Sequence, residues 1–215
     1  MEIGAMLSDS LEYTKEGLMD KWVKWILLII SVIIFPLILG YMLKVLKGTT
    51  PAPEIDDWVG MFIDGIKVII VEFIYMIPVM IVMFLVAGGS VLGMASQDPG
   101  VAMAAMGAAG LGFLVAAVLA LIISLIAVIG LVRLARTDSI GEAFNFSAIL
   151  DTIGQIGWVT YIIALIVLYI VLAVISFILG LIPVIGWLLI FILYPAFYIF
   201  GSRYISLLYD SAGTA

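Results

Sequence analysis

Apolar residues run through most of this chain in long blocks, and polar residues gather in the short gaps between them. A block of about 20 apolar residues is long enough, as a helix, to cross a hydrocarbon layer about 30 Å thick. The blocks therefore predict about five membrane-spanning helices, over residues 22–46, 66–87, 101–134, 157–179 and 187–208. Residues 1–21 have a different pattern. They are polar, but Ile3, Leu7, Leu11, Leu18 and Trp22 fall near one face of a helix, with Thr14 interrupting the stripe. That pattern predicts an amphipathic helix lying in the membrane interface; the plainer alternative is a solvated leader to the first span. The first ten residues lack the basic-then-apolar order of a cleaved signal, so the first span is expected to act as the targeting signal.

One polar pattern occurs twice. A glycine and two basic residues close an apolar run, and acidic and aromatic residues lead into the next. The first copy is Gly40, Lys44 and Lys47, then Asp56, Asp57, Trp58, Phe62 and Asp64. The second is Gly130, Arg133 and Arg136, then Asp138, Glu142, Phe144, Phe146 and Asp151. Carboxylates stabilise the positive end of a helix. Each copy thus predicts a short amphipathic interfacial helix, with Asp56, Asp57, Trp58 and Phe62 in one and Phe144 and Phe146 in the other as interfacial contacts. With residues 1–21, this makes two or three such helices. Asp9 with Glu12 and Ser139 with Glu142 have the spacing of capping pairs. The repeat pairs spans one and two with spans three and four, in parallel sense, because both copies share one side.

The interruptions matter as much as the blocks. Pro51 and Pro53 mark a non-helical turn, and Pro183 another, over residues 181–186. Residues 88–100 read as a loop containing Gly88, Gly89, Gly93, Asp98 and Pro99. Pro36, Pro78 and Pro195 lie within spans. In the third span Ala105, Ala109, Gly112, Ala116, Ala120 and Ser124 recur at steps of three or four, a small-residue stripe that lets helices approach closely in lipid. That helix is expected to be the central one. Four or six crossings are the alternatives: Pro36 can split the first span into a re-entrant pair, and the long third span can hide a break.

Basic residues near span ends set orientation. Lys44, Lys47, Lys67, Arg133, Arg136 and Arg203 place loops 47–65 and 135–156 and the C-terminus in the cytoplasm of a multi-pass cell-membrane protein. Lys15, Lys21 and Lys24 conflict with this, because five crossings put the N-terminus outside. Trp22 and Trp25 beside Lys21 and Lys24 form an interfacial anchor.

Composition supports the membrane assignment. The chain is 66% hydrophobic and 11% charged, with mean hydropathy +1.35, against about 45–50% apolar residues in soluble domains. It has no Cys and no His, which removes thiol and imidazole chemistry and the usual zinc sites. A net charge of −6 argues against nucleic acid as a partner. No phosphate loop, nucleophile elbow or acid–base pair is present, so no catalytic, cofactor-binding or metal-binding residue is expected. Glu54, Asp56, Asp57, Asp64, Asp138, Glu142 and Asp151 are oxygen ligands suited to a divalent cation, but their spacing matches no calcium loop and they read as caps. Glu72 is the one carboxylate well inside an apolar run, with Tyr75 a turn away, and an intramembrane ionisable group is a functional candidate. It equally reads as a side chain reaching the headgroups, because Lys67 lies about 7.5 Å away along the helix. Tyr161, Tyr169, Tyr194, Tyr198 and Tyr204 read as belt and packing residues.

Gly40-Tyr41 through Pro78, with its Pro53-Glu54-Ile55-Asp56-Asp57-Trp58 and Asp64-Gly65 elements, resembles an archaeal membrane-protein family known as domain of unknown function 4013. Glu142-Ala143-Phe144-Asn145-Phe146 and Ile156-Gly157-Trp158 are similar to it as well. The resemblance implies an archaeal polytopic membrane protein and carries no assigned activity or site residue. The expected fold is all-α. The expected role is a non-enzymatic membrane-organising or scaffold protein that contacts membrane lipid, and protein partners or further copies of itself. The rival reading is a small transporter or channel using Glu72, with Ser31, Ser124 and Ser176, in an oligomeric bundle. A lipid-modifying enzyme has the least support.

Overall fold

The apolar blocks form helices in the computed structural model, which describes residues 2–183 and 185–214. Met1, Val184 and Ala215, which belong to the expected N-terminal helix, the 181–186 turn and the C-terminal end of the domain, lie outside the described residues. The α-helices are α1 (Ile3–Leu18), α2 (Trp22–Ile33), α3 (Phe35–Leu46), α4 (Trp58–Met94), α5 (Pro99–Thr137), α6 (Phe146–Ile156), α7 (Trp158–Gly180) and α8 (Ile185–Asp210). Short 3-10 turns cover Gly141–Phe144 and Ser211–Thr214, and no strand occurs among the described residues. The protein is an all-α membrane protein, with four helices among the described residues long and apolar enough to span: α4, α5, α7 and α8.

The first expected span, 22–46, is not one rod. Ile34 leaves the helical region at φ −92° and ψ 78°, and α2 and α3 are 12 residues each. Pro36 has no N–H to give to the turn before it, and its ring crowds the carbonyl four residues back. Each piece is about 18 Å long, short of the roughly 30 Å hydrocarbon layer. Two other expectations change in the opposite direction. No separate interfacial helix precedes the second span, because α4 starts at Trp58 and continues unbroken through Pro78 to Met94. The 88–100 loop shrinks to the few residues between α4 and α5, with Gly88, Gly89 and Gly93 helical. Glycine lowers helix stability by about 1 kcal/mol relative to alanine in water, but an apolar medium gives an opened backbone nothing to bond with.

The chain divides into two compact units, residues Met1–Ile69 with Val128–Ala215, and residues Ile70–Ala127. In the first unit α8 is the hub, touching α1, α2, α3, α6 and α7. Its core gathers Tyr13, Leu28, Ile38, Tyr41, Met61 and Ile199. Helices α3 and α4 meet backbone to backbone at two glycines. A Cβ on Gly40 would fall 1.8 Å from the Met61 carbonyl oxygen, and one on Gly65 would fall 1.7 Å from that of Pro36. Gly157, at φ +90°, turns the chain from α6 into α7 in a conformation that favours glycine.

In the second unit the small-residue stripe of α5 lies against α4. A Cβ on Gly112 would meet Val86 Cγ2 at 2.2 Å, and one on Gly93 would meet Ala105 Cβ at 2.2 Å. Ala116 is buried, Ala105, Ala109 and Ala120 are half-buried, and Ser124 is exposed. Leu111, Leu114, Val118 and Leu121 are exposed too. The stripe thus serves one neighbour within this unit and does not make α5 an enclosed central helix.

Candidate functional site

The most elaborately held element of the first unit is the loop at residues 49–54, inside the segment that carries the family resemblance. Two prolines leave it poor in N–H donors and rich in carbonyl acceptors. Buried acceptors need partners, and three helices supply them. The Tyr13 hydroxyl of α1 donates to the Thr49 carbonyl at 2.9 Å. The Lys24 ammonium of α2 donates to the Ala52 carbonyl at 3.1 Å and to Glu54 Oε1 at 3.1 Å. The Tyr41 hydroxyl of α3 donates to the Pro53 carbonyl at 2.8 Å. Gly17 makes room for Ala52, whose Cβ would lie 2.9 Å from a Cβ added there. The loop follows α3, yet Lys24 sits in the first turn of α2. The two outer ends of the α2–α3 pair therefore come together, as in a re-entrant hairpin.

Around this clasp the charged residues pair within the chain. Of the nine basic residues, Lys21, Lys24, Lys44, Lys67, Arg133, Arg136 and Arg203 make ion pairs. The repeated pattern acquires a structural meaning here: Lys44 pairs with Asp56 at 3.0 Å, and Arg133 pairs with Glu142. Lys67 bridges Asp64 at 2.9 Å and Asp138 at 2.7 Å. Arg136 ties three helices, donating to the Leu46 carbonyl, Ser206 and Asp210. The Lys44, Lys67 and Arg133 partners hold Asp56, Asp138 and Glu142, respectively, below the ordinary carboxylate range, the hydrogen bond from the cation being the main cause in each. Burial pushes the Tyr13 phenol up, and the Arg203 guanidinium, 4.8 Å from its ring centroid, partly offsets this.

Most of the expected caps turn out to be ion-pair partners. Asp57 does cap α4, accepting from the Gly60 N–H at 2.8 Å. Asp9 and Glu12 do not cap α1, which begins at Ile3; Asp9 instead accepts from Arg203 Nε at 2.7 Å. Ser139 and Glu142 do not cap α6; Asn145 does, accepting from the Ala148 N–H at 3.3 Å. The buried face of α1 is Met6, Ser10, Tyr13, Thr14, Gly17 and Leu18, so Thr14 lies within the packed stripe and Leu11 outside it. The acids considered as a cation site are dispersed over separate pairs, and no three carboxylates among the described residues converge to hold a metal.

Of the interfacial candidates, Trp58 packs against the core cluster, Phe144 is half-buried, and Phe62 and Phe146 are exposed. In the second unit Glu72 is exposed and makes no hydrogen bond or ion pair with any described residue. Ser31 and Ser124 donate to backbone carbonyls of their own helices, those of Leu27 and Leu121. Sequence reasoning missed the roles of Tyr13, Lys24 and Tyr41. The signal available was a lysine inside the apolar run Trp22–Val23–Lys24–Trp25, which a buried acceptor explains better than an anchor does.

This arrangement ties helices and a loop to one another. The sequence profile of a family described as a protein of unknown function (DUF4013) matches residues 24–184. No curated protein and no solved structure matches the chain.

Proposed function

The chain belongs to the DUF4013 family of proteins of unknown function, and from that premise we propose that it is a non-enzymatic membrane-organising or scaffold protein of an archaeal cell membrane. The observation that carries this reading is the fate of its polar groups. Seven basic residues and both clasp tyrosines are used in contacts within the chain. What remains for partners is apolar surface on the helices, scattered exposed acids, and the two exposed lysines Lys15 and Lys47. Its partners in this reading are membrane lipid and other protein chains, including copies of itself.

The same reading gives a topology. Helices α4, α5, α7 and α8 cross the membrane, and the α2–α3 pair enters and returns on the cytoplasmic side. The N-terminus, loops 47–57 and 138–145 and the C-terminus then share the cytoplasm with every basic residue. The conflict posed by Lys15, Lys21 and Lys24 disappears, because an even number of crossings brings them to the same side as the rest. Purification in mild detergent tests the function: bound lipid together with a stoichiometric protein partner or a defined oligomer is expected. A monomer that retains neither contradicts the proposal.

One observation favours a transporter or channel instead, the unpaired Glu72 within an apolar helix. In that reading Glu72→Gln abolishes a cation or proton flux in proteoliposomes. In the scaffold reading there is no flux to lose.

A further inference from the structure

Within the first unit α1 does not close flat onto its neighbours. Between it, α7 and α8 lies a cleft of about 500 Å³, a size within the range of about 300–1,000 Å³ typical of small-molecule sites. Leu7 and Leu11 of α1, Val171 and Ile175 of α7, and Phe197 and Phe200 of α8 form its walls. Thr14 also borders it, but its hydroxyl already donates to the Ser10 carbonyl at 2.7 Å. Ser8 is the other hydroxyl at the edge. No charged side chain lines the cleft, so the portion of a ligand that enters must be hydrocarbon.

Its surroundings identify the source of that hydrocarbon. Two of its three walls belong to α7 and α8, helices apolar and long enough to lie in the bilayer. The third wall mixes characters: Leu7 and the exposed Leu11 border the cleft, while Glu12, Lys15 and Glu16 on the same helix are exposed to its side. Val171 lies about 20 Å along α7 from its start and Phe200 about 15 Å from the end of α8, so the cleft is level with acyl chains. Leu11 is 49% exposed and Ile175 39% exposed, so the cleft communicates with the surface that the bilayer covers.

We propose that this cleft is a lipid site, holding one hydrocarbon chain of a membrane lipid between α1 and the α7–α8 pair. The site depends on the membrane placement of α7 and α8, and it stands whether or not the protein is a scaffold.

The test uses the full chain in mild detergent with a low mole ratio of phosphatidylcholine carrying a diazirine on one acyl chain, irradiated and mapped by mass spectrometry. Adducts are expected to concentrate at residues 7–11 and 197–200, above the level at the exposed Leu111 and Leu114 of α5. Filling the cleft with Leu11→Trp displaces roughly two methylenes of chain and should lower the first set about tenfold, leaving the α5 set unchanged. Leu7→Phe, a milder filling, should act in the same direction. Even labelling over both regions, or insensitivity to both substitutions, overturns the site. Labelling of α5 with none in the cleft also overturns it. Labelling nowhere contradicts the membrane placement itself, a different failure.

Discussion

The two units of this protein are built from the same apolar helices but held by different means. All nine basic residues lie in the unit of Met1–Ile69 and Val128–Ala215, whereas the unit of Ile70–Ala127 holds only two charged residues, Glu72 and Asp98. In the first unit, glycine contacts bring backbones together and ion pairs fix which helices meet. In the second, small residues on both helices let α4 and α5 approach closely, Gly112 receiving Val86 and Gly93 receiving Ala105. Packing of small residues allows many registers in lipid. A donor that must find one particular carbonyl allows few.

The comparison breaks most readily at the glycines. Gly40→Leu or Gly65→Leu drives a side chain into a backbone carbonyl and should destabilise the first unit by about 3 kcal/mol or more. Gly112→Leu meets the Val86 side chain first, which can turn aside, and should cost about 1 kcal/mol. Thermal unfolding of the three variants in one detergent measures the contrast, and equal losses would remove it. Next in size, Asp9→Asn leaves the buried Arg203 without its counter-charge and should cost about 2 kcal/mol. Tyr41→Phe leaves the Pro53 carbonyl without a donor and should cost about 1 kcal/mol; the read-out is earlier proteolysis at residues 49–54.

The pH dependence is a smaller effect. Asp56 and Asp138 are held below 3.8, and Glu142 below 4.5. The folded state therefore binds these protons more weakly than the unfolded one, so their contribution is full above the ordinary values and fades as pH falls through the lower, folded ones. The Tm should be level from neutrality to about pH 5 and decline below it. Because Asp56 and Asp138 are exposed and Glu142 is only half-buried, each contributes little, and Asp138→Asn should soften the decline slightly. Smallest of all, Glu72→Gln in the second unit removes no contact within the chain and should change stability by less than about 0.5 kcal/mol.

What the sequence made legible follows from the range of the forces involved. The ends of α7 and α8 fall within two residues of the apolar blocks at 157–179 and 187–208, because hydropathy is local. The Asp57 cap was legible for the same reason. Capping rules say where a helix starts but not whether it then stops, so α4 was read as two elements. The return of α2 and α3 depends on Tyr13, Lys24 and Tyr41 finding one loop, and no local pattern encodes that meeting. Asp9 finds Arg203 across 194 positions, which made a plausible cap into an ion pair. The stripe on α5 was visible, but a stripe shows that a helix packs closely, not how many neighbours it has.

The central claim is that α2 and α3 return to the side they started from, so that four helices cross and the chain's polar ends share one side. The protein has no cysteine, which makes single-cysteine labelling clean. Cysteines placed at Glu2, Gly141 and Gly213 should react with an impermeant maleimide from the same, cytoplasmic side, and one at Gln97 from the other. Reaction of Glu2→Cys and Gly213→Cys from opposite sides would contradict the account and restore an odd number of crossings.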